Sequence, residues 1–133
     1  MRMPLLDRAF YLLDSARSPQ DFTLILDLRD APELERLYGG ARSAMNRFPI
    51  SACSVVGREW VWRGNECFKL TVAEGNAGVE KFIDEPFDLR REPPVKQLLV
   101  SGRLVTRFHH AAADGSSAFF MVLTIIGLVG AAG

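Results

Sequence analysis

A charge-free C-terminal stretch places the tightest limit on the fold. Residues 115–133 contain nothing ionisable and include Phe119-Phe120-Met121-Val122-Leu123-Thr124-Ile125-Ile126. A membrane-crossing helix needs about 20 apolar residues, whereas this stretch opens with Gly115-Ser116-Ser117 and closes with Gly130-Ala131-Ala132-Gly133, leaving about eleven strongly apolar positions between. The pattern predicts a helix over 116–128 buried on all sides, in preference to a membrane-anchored C-terminus. Such a helix needs protein on every face. The expectation is therefore that a second α/β half or a partner subunit covers it, a second copy of this chain being one candidate, and that the chain is a fragment, a truncated product or a subunit completed elsewhere.

At 133 residues the chain has the size of one ordinary domain and is expected to form a single unit over 1–133, burying about two-thirds of its unfolded surface. Sixteen basic residues balance sixteen acidic ones, and no Lys/Arg run interleaves with aromatics, which argues against a nucleic-acid partner. Cys53 and Cys67 lie outside any CxxC spacing, and Asp7 and Arg8 interrupt the N-terminus before a signal-peptide core could form. These features predict a cytoplasmic protein with reduced thiols.

Apolar spacing predicts a helix over Leu5–Leu13, closed by Ser18-Pro19, and then a strand over 22–28. Asp30 as cap, Pro32 in the first turn and Glu33 three positions after Asp30 form a capping-box pattern for a second helix. Its expected core face is Leu34, Leu37, Tyr38, Ala41, Met45 and Phe48. Gly39 and Gly40 inside it each cost about 1 kcal/mol against alanine, which predicts a kink or a close helix-sheet contact. Residues 52–62 and 68–73 read as strands joined by a turn at Arg63-Gly64-Asn65-Glu66, with Trp60 and Trp62 on one strand face. A break at Gly75-Asn76-Ala77-Gly78 precedes a brief helix over 79–83, and prolines make 86–94 extended. Residues 96–100 and 103–108 form a hairpin through Ser101-Gly102. This alternation predicts an α/β fold, specifically an α+β two-layer sandwich: a mixed sheet with helices on one face.

The second strand of that hairpin runs into His109-His110-Ala111-Ala112-Ala113-Asp114-Gly115. Side chains alternate along a strand, so His110 shares a face with Leu104, Thr106 and Phe108 while His109 points the other way with Val105 and Arg107. A neutral imidazole can accept a proton near neutral pH. His110, at the strand end where loops expose side chains, is the candidate general base, and His109 supports it from the scaffold. Asp114 is expected to brace the loop through an arginine, and Gly115 to allow a close backbone approach. The plain structural readings stand beside these: a strand-end histidine is often a scaffold residue, and Asp-Gly is a common turn signal. His110 and Asp114 could also ligate zinc, but there is no third histidine, so no metal is expected.

The seven-residue run matches the HHxxxDG motif of the chloramphenicol acetyltransferase-like superfamily, which includes nonribosomal peptide condensation domains, wax ester synthase/diacylglycerol acyltransferases and polyketide-associated acyltransferases. Pro86-Phe87-Asp88-Leu89 followed by Pro93-Pro94 resembles the segment these families carry ahead of the motif strand, and residues 6–13 resemble the opening helix of the last two groups more weakly. The resemblance covers nearly the whole chain but only the N-terminal half of the family's two-half architecture. It implies that His110, in a tunnel between halves, deprotonates an alcohol or amine acceptor that attacks an acyl-CoA or acyl-carrier-protein thioester directly. It also implies that no cofactor is tightly bound, that the oxyanion stabiliser comes from the other half, and that this half is inactive alone. The alternative expectation is a non-catalytic interaction module, a degenerate or truncated half-domain docking through its apolar C-terminal helix.

Overall fold

The computed structural model describes residues 1–14, 20–28, 33–64, 69–73, 75 and 78–127. The expected features at Ser18-Pro19, Asp30, Pro32, Asn65-Glu66, Cys67, Asn76-Ala77 and 128–133 lie outside these residues. Helix α1 (Leu5–Leu13) is followed by β1 (Asp21–Asp27), α2 (Leu34–Arg47) and a short 3-10 turn (Pro49–Ala52). Then come β2 (Cys53–Val56), β3 (Glu59–Trp62), β4 (Lys69–Ala73), α3 (Val79–Asp84), β5 (Val95–Val100), β6 (Arg103–His109) and α4 (Gly115–Ile125).

The main sheet has the order β1-β6-β5-β4, antiparallel except for the β4/β5 pair, so it is mixed as expected. Ser101 and Gly102 both take positive φ, 47° and 76°, the backbone of a two-residue type I′ hairpin whose twist matches the flanking strands. Register then sorts the two faces. Val95, Leu99, Leu104 and Phe108 point to the core under α2 and α4, where Phe22, Leu24 and Leu26 of β1 join them. The opposite face carries Leu98, Val100 and Val105, packed against Val79, Phe82 and Ile83 of α3. The two long helices thus share one face of the sheet, and the short crossover helix lies on the other.

Two expectations about α2 are corrected. The helix begins at Leu34, so Glu33 occupies the cap position itself, its carbonyl accepting from the Arg36 and Leu37 N–H groups, and its side chain makes no capping bond. The buried face is Leu37, Ala41, Ala44 and Met45, with Phe48 packed beside it, while Leu34 and Tyr38 stay 42% exposed. The close approach at the glycine pair exists, but to a helix: a Cβ on Gly40 would collide with the carbonyl oxygen of Ile125 in α4, whereas one on Gly39 meets nothing within 4 Å among the described residues. The paired glycines should therefore respond oppositely. Gly40→Ala forces backbone apart and is expected to cost about 1–3 kcal/mol or more, and Gly39→Ala to stabilise by up to about 1 kcal/mol. Chemical denaturation of the two variants checks this, and equal effects would remove the assignment of the close contact to Gly40.

The single strand expected over 52–62 is instead the β2/β3 hairpin, a separate two-stranded sheet. Gly57, at φ +61°, is the first central residue of its two-residue turn, the position that glycine fills in a type II′ hairpin. Residues 1–3 dock on this hairpin: Met1 O accepts from Trp60 N, and Met3 N donates to Arg58 O. Trp60 is buried but Trp62 is not. Residues 86–94 also depart from a plain extended run, because Asp88 O accepts from both Arg91 N and Glu92 N and turns the chain. Phe87 and Leu89 from this segment, Trp60, Val55, Cys53 and Met3 form a second core with Ala111 of the motif loop, against which Phe10 and Tyr11 of α1 pack.

Among the described residues, helix α4 is not enclosed on every side. Ala118, Met121, Val122, Thr124 and Ile125 are buried, but Phe119 and Phe120 are about half exposed. Among the described residues no helix is long and apolar enough to cross a membrane.

Candidate functional site around the histidine pair

Strand β6, paired on both sides, carries the histidines to its C-terminal end, where the chain turns into α4. His110 N–H donates to Gln20 O at 2.8 Å, just ahead of β1, which fixes the exit of the strand. Its half-buried imidazole stacks on Phe10 of α1 with ring centroids 5.1 Å apart and tilts against Phe22 of β1 at 4.6 Å. Among the described residues its ring nitrogens enter no hydrogen bond or ion pair. An imidazole held by its faces with its edges unspent can exchange a proton.

His109 is the contrasting case, fully buried on the opposite face. Its Nδ1 accepts the Ala111 N–H at 3.0 Å, so the neutral ring carries its proton on Nε2. Nε2 lies 3.4 Å from Asp14 Oδ2 at the end of α1, long for a hydrogen bond, and has no other acceptor among the described residues. The edge of the Phe87 ring completes the pocket at 5.8 Å. Burial pushes the His109 pKa below the usual histidine value, against the pull of Asp14 and then Asp21 in the other direction. The folded protein consequently takes up this proton less readily than the unfolded chain. Stability is full above the unperturbed pKa of 6.5 and is lost as pH falls from there toward the depressed folded value. Thermal unfolding midpoints should decline between about pH 7.5 and about pH 5, with a shallower decline in His109→Gln; equal slopes would assign the decline to other groups.

Beneath Phe87 lies a buried ionic cluster that the sequence reading did not anticipate. Arg107 Nη2 pairs with Asp21 Oδ2 at 2.6 Å, and Nη1 donates to the Phe82 and Glu85 carbonyls at 2.7 and 2.6 Å. Lys96 pairs with Glu92 at 2.8 Å, and both cations sit over the Phe87 ring, at 4.4 Å for Lys96 and 4.8 Å for Arg107. The available signal was the placement of Arg107 and His109 on one strand face, and of Lys96 on the neighbouring strand. It called for polar partners on that side.

Asp114 caps α4, its Oδ1 accepting the Ser117 N–H at 2.8 Å. This hydrogen bond is the main cause of its carboxyl lying below the usual carboxylate value. It braces the helix start, and among the described residues no arginine pairs with it; the arginine of this region, Arg107, is taken by Asp21. A Cβ on Gly115, the first residue of α4, would meet nothing within 4 Å among the described residues. The residue sits exposed at an ordinary helix N-terminus. Beside the loop, Ala112, Ala113, Ser117 and Met121 line an open cavity of about 220 Å³ together with Phe48 and Val95. Among the described residues no group of three or more His, Cys, Asp or Glu could hold a metal.

No family model matches the chain, and no curated protein is significantly similar to it. Solved structures are. The X-domain from teicoplanin biosynthesis is 20% identical with a TM-score of 0.73, over 93% of this chain, and it matches again in a complex with OxyB. The starter condensation domain of rhizomide synthetase is 12% identical with a TM-score of 0.74, over 92% of this chain. A condensation domain that mediates chain release from the enacyloxin polyketide synthase is 12% identical with a TM-score of 0.72, over 97% of this chain. The chain spans 31%, 35% and 30% of those three chains. Its mixed sheet, helices and motif turn therefore carry the condensation-domain fold, over about a third of the length of the proteins that share it.

Proposed function

We propose that this chain forms the histidine-bearing part of an acyltransferase that moves an acyl group from a CoA or carrier-protein thioester to an alcohol or amine. His110 acts as the general base. It takes the proton of the acceptor O–H or N–H as the acceptor attacks the thioester carbonyl. The C–S bond then breaks and the thiolate leaves with the proton that His110 returns, so no acyl group is ever bound to the protein. The observation that carries this reading is the division between the two histidines: His109 is fully buried, its Nδ1 accepting the Ala111 N–H and its Nε2 facing Asp14, while His110 is only partly buried with unspent nitrogens. Asp114 holds the start of α4, and the oxyanion stabiliser such chemistry needs comes from protein outside this chain. The test is acyl transfer to small alcohols and amines by the complete protein, supplied in turn with acyl-CoA and acyl-carrier-protein thioesters. Transfer from neither donor class would overturn the proposal.

A second reading, an interaction module, is supported by a different observation. Leu5, Leu6, Leu12 and Leu13 on α1 are 64–75% exposed, an apolar face that monomeric proteins seldom leave open, and the similar X-domain is found with OxyB. Stable association with another protein, in a complete protein that transfers no acyl group, favours this reading.

A further inference from the structure

We propose that Asp14 is a positioning residue that locks both motif histidines to the first helix and so sets where His110 stands; this rests on the acyl-transfer reading above. Its two carboxylate oxygens face different elements. Oδ1 accepts the Gln20 N–H at 2.9 Å, and the carbonyl of the same Gln20 accepts His110 N–H at 2.8 Å. Oδ2 faces His109 Nε2 at 3.4 Å, while Nδ1 of that ring accepts the N–H of Ala111, the residue after His110. His110 is thereby held from both sides, through Gln20 before β1 and through the His109 ring that fixes the motif loop.

Helical spacing gives the arrangement its leverage. Phe10 and Asp14 are four residues apart at the end of α1, so they lie on one side of it. Phe10 stacks on His110 and Asp14 addresses His109. One helix face therefore grips both members of the pair, and releasing Asp14 frees α1 to move the ring that packs on the base. Among the described residues, the charged and titratable groups around His109 are Asp14 at the end of α1, Asp21 from β1, and Arg107 and His110 from its own strand region. Arg107 already neutralises Asp21 at 2.6 Å, which leaves Asp14 as the carboxylate turned to the imidazole.

The variants separate the two oxygens. Asp14→Asn keeps an acceptor for Gln20 N–H but presents an NH₂ group toward the Nε2–H of His109, and Asp14→Ala removes both contacts. In the complete protein each should lower kcat with little change in KM, by roughly 10- to 100-fold for Asp14→Ala and less for Asp14→Asn, the range in which displaced catalytic groups fall. Asp14→Ala/His110→Ala should be no slower than His110→Ala alone, because Asp14 acts only through His110. Independently of activity, 15N spectra of the ring nitrogens should show His109 protonated at Nε2 in the parent protein and a changed His109 signal in Asp14→Asn. Full kcat in Asp14→Ala, or additive losses in the double variant, overturns the proposal while leaving the base assignment intact. Activity lost in neither Asp14→Ala nor His110→Ala overturns the base assignment itself, and an unchanged His109 signal in Asp14→Asn overturns the contact on which Asp14 depends.

Discussion

Replacing Arg107 with Met is expected to be the most damaging single substitution for the fold, costing about 3–5 kcal/mol, as breaking one side of a buried ion pair does. The guanidinium is 2% exposed and reaches three groups on two elements: the Asp21 carboxylate on β1, and the Phe82 and Glu85 carbonyls at the end of α3. Methionine fills the volume but leaves a carboxylate that is 13% exposed without its cation, and two carbonyls without the donor that ends the helix. Lysine should rescue only part of the loss, because a single ammonium cannot span a carboxylate and two carbonyls as a planar fork does. The double variant Arg107→Met/Asp21→Leu should be more stable than Arg107→Met, since it removes the stranded charge. A loss of a few kcal/mol is a large share of the roughly 5–15 kcal/mol that holds a domain together. Urea unfolding midpoints decide the matter, and a loss under about 1 kcal/mol in Arg107→Met would mean that water or rearrangement replaces the network.

Arg107 also shows where the sequence was readable and where it was not. The mixed sheet, α1, the Ser101-Gly102 hairpin and the helix after the motif follow from local signals: apolar periodicity, a two-residue turn and an uncharged stretch. Errors arose where a choice depended on distant atoms. One strand was expected where Gly57 turns the chain into a hairpin, because Gly57-Arg58 lacks the Asn-Gly or Asp-Gly pair that is the strongest short hairpin signal. Leu34 and Tyr38 were placed in the core and Ala44 was not, since α2 packs against α4 so closely at Gly40 that small residues face it. The motif named His110 from within seven residues. The groups around the pair, Asp14, Asp21, Phe87 and Arg107, come from four separate segments, and no spacing pattern links them. Asp114 illustrates the same limit: an arginine partner was expected for it, whereas its carboxylate accepts the Ser117 N–H and Arg107 pairs with Asp21.

In the complete protein, His110→Ala is expected to lower kcat for acyl transfer by about 10²- to 10⁴-fold, the usual contribution of a positioned general base. KM should change little, because a general base acts on a proton that moves in the transition state and not on the bound donor. Folding is the competing explanation, and the contacts bound its size. The His110 ring touches Phe10 and Phe22 by its faces, so its removal forfeits aromatic contacts worth about 0.5–1.5 kcal/mol each. That is too small to unfold most of a stable sample, so a thermal scan of the variant should still show one cooperative transition. Truncation also leaves an imidazole-sized space between Phe10 and Phe22, and added imidazole should restore part of the rate with saturation. A purely structural histidine predicts a different pattern: a lower melting temperature, turnover reduced only in proportion to the unfolded fraction, and no response to imidazole. His109→Gln gives the comparison: it should lower stability and, through the loosened motif loop, kcat, but added imidazole should restore nothing, since the His109 ring faces Asp14 and Ala111 inside the fold. If the two variants behave alike, His110 is scaffold and the base lies elsewhere.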